Sequence, residues 1–265
     1  MWIDTHCHLD ASEFDTDRDE LARNAHAAGV SRIVIPGVYR ENFTRVRELA
    51  HRIEGGAYAL GIHPLFTPAA LDSDLAVLRL EVEASLDDPR FVGIGEIGLD
   101  YFVSLDETRQ QYFYNEQLKI ARDFDLPAIC HVRKSQDQVL KGLRRQGVGR
   151  GIAHAFNGSF QQADAYLKQG FKLGFGGNLT FDRALQIRRL AQQLPLEAIV
   201  METDAPDIAP SWRYKERNDP EQVVRIGLVL AELRGLAPEE LARRTTANAH
   251  DALPRLGNST QSPQL

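Results

Sequence analysis

Cysteine, methionine and tryptophan are scarce, with two of each among 265 residues. The two thiols, Cys7 and Cys130, each fall in a predicted strand beside a histidine, on the opposite face of that strand. They read as reduced, packed thiols of a cytoplasmic protein rather than a disulfide framework. Long apolar runs are missing too, so no segment has the length that spans a bilayer. Asp4, His6 and His8 interrupt the opening residues, which therefore do not read as a secretory signal. Positive charge is in deficit, with 31 Lys and Arg against 37 Asp and Glu and a net charge of −6. That excludes a broad basic surface able to grip nucleic acid anywhere. A small site whose bound metals supply the positive charge is still allowed.

What is present is ordinary for a globular protein: 43% hydrophobic residues, enough for a sizeable core. The pattern along the chain is strand then helix, repeated eight times. Strands are predicted at 2–6, 32–36, 57–61, 91–96, 127–131, 151–154, 171–175 and 198–203. Helices fall between them, near 17–28, 41–53, 74–86, 105–124, 135–146, 159–169, 183–193 and 221–234. A last helix near 238–252 closes the barrel bottom or packs outside it. Such alternation implies a parallel sheet covered by helices. At this length the expectation is α/β, a closed (β/α)8 TIM-type barrel of about 250 residues. An open doubly wound sheet is the alternative. The barrel is expected to occupy residues 1–256, with 257–265 a flexible tail.

The stretch that organises the rest is Asp4-Thr5-His6-Cys7-His8-Leu9-Asp10. Side chains alternate along a strand, so His6 and His8 face one way, a ready chelate for a borderline divalent ion. Glu96, His131, His154 and Asp204 stand at the ends of strands 4, 5, 6 and 8. In an open sheet these ends spread along a line; in a barrel they meet at one mouth, where barrel enzymes carry their active sites. Parity agrees: Val92, Ile94 and Glu96 share a face, as do Ile129 and His131, and Ile152 and His154. Four histidines and two carboxylates exceed the needs of one open catalytic ion and suit two. The assignment is His6, His8 and Asp204 on one ion, His131 and His154 on the other, and Glu96 bridging. The metals are Zn²⁺ or Mn²⁺ by ligand type, with Mg²⁺ able to serve. Any single member could instead orient a ligand.

Around this set, His63 could donate a hydrogen bond to a substrate oxyanion or cap a helix. Asp204 could take a proton from the bridging water. Glu202 reads as a partner behind the ligands and Asp4 as a core hydrogen-bonding residue. Asp10 and Asp100 read as loop caps. Arg133, Lys134, Arg213, Lys215 and Arg217 lie on mouth-side loops and could meet phosphates or simply be solvated. Tyr101, Phe156 and Trp212 could stack on a base or pack against loops.

These residues carry a family resemblance. The ordered blocks are Asp4–Asp10, Gly61-Ile62-His63-Pro64, Gly95-Glu96-Ile97-Gly98-Leu99-Asp100-Tyr101, His131-Val132-Arg133, His154-Ala155-Phe156-Asn157-Gly158 and Glu202-Thr203-Asp204-Ala205-Pro206. Together they resemble the TatD family of metal-dependent deoxyribonucleases, over almost the whole chain. The resemblance implies a TIM-type barrel, a two-metal site and phosphodiester hydrolysis in DNA, in some members as a 3′ to 5′ exonuclease. By position, its metal ligands fall on His6, His8, Glu96, His131, His154 and Asp204. Its phosphate-contacting histidine falls on His63. The chain departs from the family at Asn218-Asp219-Pro220, where Asn-Glu-Pro is usual, and around Leu253-Pro254, where an aromatic is usual.

The expected function is therefore a metal-dependent hydrolase cleaving DNA through a metal-bridging hydroxide, with Asp204, Glu96 and His63 catalytic and His63 and Arg133 on the substrate. Two alternatives differ in class. One is a metal hydrolase of another ester or amide, such as an aminoacyl ester on tRNA. The other is a binding protein that kept the barrel and lost the chemistry.

Overall fold

The computed structural model describes residues 1–260. Eight parallel strands pair in chain order. They are β1 (Trp2–Asp4), β2 (Val30–Pro36), β3 (Gly56–Leu60), β4 (Phe91–Asp100), β5 (Ala128–Arg133), β6 (Gly151–His154), β7 (Phe171–Phe175) and β8 (Ile199–Met201). The ring is nearly closed just beyond β1 and β8, where Thr5 N donates to Met201 O (3.0 Å) and Asp204 N donates to His6 O (2.8 Å). The eight intervening helices are α1 (Arg18–Ala27), α2 (Phe43–Arg52), α3 (Asp72–Ala84), α4 (Glu107–Asp123), α5 (Gln136–Gln146), α6 (Phe160–Lys168), α7 (Leu185–Gln193) and α8 (Gln222–Arg234). This is the (β/α)8 architecture the alternation implied; the open sheet is not formed.

Two apolar layers follow from strand alternation. Ile3, Val34, Val92, Ile129, Ile152 and Val200 fill the barrel. The larger layer lies between sheet and helices. The ninth helix, α9 (Pro238–Ala252), closes the bottom: Ala249, Ala252, Leu253 and Leu256 join the inner layer. A 3₁₀ turn at Pro254–Thr260 continues past α9. Residues 261–265 of the expected tail lie outside the described residues. No described helix is long and apolar enough to cross a membrane.

Three strand expectations change at the mouth. β8 stops at Met201 rather than 203, so Glu202 and Asp204 lie beyond it. β1 stops at Asp4, so His6 and His8 lie beyond the strand on extended chain held by the closing hydrogen bonds. β4 runs four residues past Glu96. Its register against β5 shifts between Ile94 and Ile97, and a second irregularity lies against β3 near Phe91. A bulge turns successive side chains, and Ile94 accordingly packs in the outer layer while Val92 packs inside. The shared face expected for Val92, Ile94 and Glu96 is thus broken. Residues 93–98 have Gly-x-Gly-x-x-Gly spacing, yet they lie wholly within β4 and open no helix. The glycine at 98 serves close strand contact: at φ +145° its added Cβ would meet His131 O at 2.1 Å.

Candidate metal centre

At the C-terminal mouth, Asp4 ties the ends of β1 and β8 together. Its carboxylate accepts from Thr203 Oγ1 (2.6 Å), Thr203 N (2.9 Å) and His6 N (3.2 Å). Burial pushes the Asp4 carboxyl up to about 8, against the pull of those hydrogen bonds. The core hydrogen-bonding role read from sequence is the one it plays. His6 and His8 emerge just above it, with their Nε2 atoms 3.2 Å apart.

Glu96 lies between two groups of histidines. Its Oε2 is 3.1 Å from His6 Nε2 and 3.3 Å from His8 Nε2. Its Oε1 is 2.9 Å from His131 Nδ1 and 3.4 Å from His63 Nε2. Asp204 completes the ring: Oδ1 is 3.6 Å from both His6 and His8 Nε2 and 3.4 Å from His154 Nε2. Asp204 has φ +57°. A non-glycine residue in that region costs on the order of 1–3 kcal/mol and persists only where its surroundings hold it. Here the backbone bond to His6 O and the closed barrel do so. The His154 ring stacks on His6 at 3.7 Å.

Behind these atoms stand partners. Glu202 Oε1 accepts from Ala155 N (2.7 Å) and lies 3.1 Å from His154 Nδ1. Its room comes from β7, because a Cβ added at Gly174 would meet Glu202 Oε2 at 2.1 Å. Asp100, read from sequence as a loop cap, is instead buried at the end of β4. It does accept from Phe102 N (2.9 Å), and its Oδ2 is also 3.1 Å from His131 Nε2. Asp10, also read as a loop cap, accepts no backbone N–H among the described residues and instead accepts from the Asn42 side chain, Nδ2 to Oδ2 at 3.0 Å.

The crowding shifts titration. Burial alone would raise Glu96 and Asp204, but the neighbouring imidazoles outweigh it. Glu96 is held well below the usual carboxylate range and Asp204 falls to about 2. Burial opposes charge on His8, yet Glu96 and Asp204 lift it to about 9. His131 and His154 are likewise raised by their carboxylates against burial. Burial and His154 lower His6. Burial lowers His63 to about 4. His63 Nδ1 accepts from Leu65 N (3.2 Å), capping the 3₁₀ turn Pro64–Phe66, so the neutral ring carries its proton on Nε2, aimed at Glu96. Both roles considered for His63, capping and donation, are compatible with this geometry.

Three overlapping sets could hold a divalent ion: His6, Glu96 and His154; His6, His8 and Asp204; His63, Glu96 and His131. Within each set the ligand-type atoms lie within 4.8 Å of one another. Facing imidazole nitrogens and ionised carboxylates are borderline donors that suit Zn²⁺ or Mn²⁺. The donor set fits a metal centre.

Mouth-side residues divide. Arg133 and Lys134 lie over the Phe102 ring, at 4.0 and 4.8 Å from its centroid. Arg213 pairs with buried Asp219 at 2.6 Å, and Arg217 pairs with Asp17, so both are structural. Asp219, at the Asn218-Asp219-Pro220 departure, holds that loop rather than the site. Of the three aromatics singled out from sequence, Phe156 packs as the loop-packing alternative had it, and Tyr101 and Trp212 are partly buried. Phe156 is buried against Tyr166, Trp212 donates to Gln222 Oε1 (2.9 Å) under Arg225, and the Tyr101 hydroxyl accepts from Gln111 Nε2 (2.7 Å). The exposed aromatics at the mouth are others: Tyr39, Phe66, Phe102 and Tyr214.

A (β/α)8 barrel that gathers histidines and carboxylates at the mouth of its strands belongs to the metal-dependent barrel hydrolases. The profile of the TatD related DNase family matches residues 3–254, and the chain belongs to that family. It is 38% identical to an Escherichia coli K12 protein described as an uncharacterized metal-dependent hydrolase, YjjV, over 94% of this chain and 96% of that one. The crystal structure of YjjV superposes with a TM-score of 0.91, covering 96% of this chain and 98% of that one. Human deoxyribonuclease TATDN3 is 29% identical over 98% of this chain and 97% of its own. A TatD family hydrolase of Entamoeba histolytica shares the fold, with a TM-score of 0.83 at 20% identity over 95% of this chain and 97% of that one.

Proposed function

We propose that this protein hydrolyses phosphodiester bonds in DNA with two divalent ions, removing nucleotides from a 3′ end. The observation that carries the reading is Glu96, which turns one carboxylate oxygen to His6 and His8 and the other to His131. The family descriptions support the DNA substrate. Two ions, Zn²⁺ or Mn²⁺ with Mg²⁺ as a substitute, would be held by His6, His8 and Asp204 on one side and His131 and His154 on the other. When bound they would supply an acidified water and positive charge against the phosphate.

The chain's own residues do the rest. Asp204 would accept the proton that the attacking water loses. Neutral His63, whose Nε2–H faces Glu96 in the free protein, would give that hydrogen bond to a non-bridging phosphate oxygen, with no proton transferred. Arg133, exposed on the mouth beside Asp100, meets the next phosphate along the strand. Glu202 and Asp100 orient His154 and His131. We assign the enzyme to the cytoplasm, where buried Cys7 and Cys130 would stay reduced.

The test is digestion of end-labelled oligonucleotides with Mn²⁺, Mg²⁺ or Zn²⁺, then with chelator. Metal-dependent shortening from the 3′ end, lost in His131→Ala and Asp204→Asn, is the expected result. Cleavage that survives chelation, or acyl-ester turnover with no DNA degradation, overturns it.

A further inference from the structure

Beside the metal centre, the loops after β7 and β8 enclose a cleft of about 760 Å³. Asn178, Ile187 and Ile208 line both this cleft and the smaller cavity beneath it, which reaches Asp204 and Glu202. The cleft therefore adjoins the part of the site that holds Asp204. Its wall carries Phe181 and Tyr214, edge to face at 5.9 Å, with Tyr214 56% exposed. The Arg183 guanidinium lies 5.8 and 5.9 Å from the two ring centroids, and Lys215 Nζ lies 5.4 Å from Tyr214. Nearby carboxylates are taken by other cations: Asp182 by Arg188, Asp219 by Arg213 and Asp17 by Arg217.

From this arrangement we infer that the cleft is a nucleobase subsite: the base next to the cleaved phosphate stacks on exposed Tyr214 and meets Phe181 edge-on, with flanking phosphate on Arg183 and Lys215. The inference rests on the phosphodiesterase reading and adds where the base goes. Charge decides the orientation. Asp207 and Glu216 also line the cleft and would repel a phosphate inside it. A base is neutral, has a π-face for the rings, and offers exocyclic N–H groups that a carboxylate accepts. The cations are left to the backbone. Aromatic stacking of a base is worth about 1–3 kcal/mol by alanine substitution, roughly 5- to 150-fold in affinity.

The experiment measures binding of two phosphorothioate-linked oligonucleotides, which resist cleavage, to the metal-loaded protein by fluorescence anisotropy. One carries all its bases and the other is abasic at its last two positions. Cleavage of the matching phosphodiester oligonucleotides is followed in parallel. The wild type is expected to prefer the base-bearing strand by about tenfold or more. The Phe181→Ala/Tyr214→Ala variant should bind both strands alike, and Tyr214→Phe should keep the preference. Equal binding by the wild type, no binding at all, or a preference that survives the double alanine change overturns the subsite. A base preference without any cleavage leaves the subsite standing and removes the phosphodiesterase reading instead. Cleavage without a base preference does the reverse.

Discussion

Asp100 Oδ2 lies 3.1 Å from His131 Nε2 while the other nitrogen of that ring, Nδ1, lies 2.9 Å from Glu96 Oε1. The imidazole is thus clasped between two carboxylates, and its orientation depends on both. Partners of this kind typically change metal affinity by about 10- to 100-fold when removed. Asp100→Ala is expected to weaken divalent-metal binding in that range, measured by competition with a chromophoric chelator. Asp100→Asn keeps an acceptor for Phe102 N and should fold, yet bind metal more weakly than the wild type. Unchanged affinity in both variants would remove Asp100 from the site.

Metal binding should release protons. Without an ion, His8 keeps its proton up to about pH 9, because Glu96 and Asp204 favour the charge despite burial. A ligating imidazole must be neutral. Affinity is therefore expected to rise with pH until His8 has lost its proton, and to fall on acidification. Calorimetric titration at pH 7 in buffers of different ionisation enthalpy should show net proton release that His8→Ala reduces.

How much of this was legible in the sequence depends on the type of signal. The barrel was readable because strands buried on both faces leave continuous apolar runs, as in Ile33-Val34-Ile35, separated by amphipathic helices. His6 and His8 were visible as a pair, although they sit beyond β1 rather than in it. The end of β4 was not visible. Gly95 and Gly98 stand in β4 because β5 passes too close for a side chain. That misplaced strand end is why Asp100, on the parity of Glu96, read as a loop cap. The exposed aromatics were missed for another reason: exposure is a property of the folded loops, and Phe102 and Tyr214 differ from buried Phe156 in what covers them.

Gly174 makes a second stereochemical prediction. A Cβ there would meet all three carboxylate atoms of Glu202 at 2.1–2.7 Å. Glu202 is buried and cannot move aside freely. Gly174→Ala is expected to destabilise the fold by about 1–3 kcal/mol, read by urea denaturation, and to weaken metal binding. A stable variant with wild-type metal affinity would contradict the packing described.

Acid stability should depend on Asp88, at the opposite end of the barrel. Burial raises its pKa, but His51 (2.9 Å), Arg90 N (2.9 Å) and the Tyr58 hydroxyl (2.7 Å) outweigh it, so the folded value lies below 3.8. A depressed carboxyl contributes stability that is present above the unfolded value and lost as pH falls through the folded one. Asp88→Asn should lower the melting temperature at pH 7 and narrow its gap to the wild type below pH 3.8. Because His51 is half exposed, solvent screens part of the effect. A gap that widens in acid would reverse the sign.

The most direct measurement of the central claim is anomalous diffraction from crystals grown with Zn²⁺ or Mn²⁺. Two peaks are expected, one on each side of Glu96, the first against His6 and His8 and the second against His131. A single peak that Glu96 does not touch, or none at the mouth, would contradict the account.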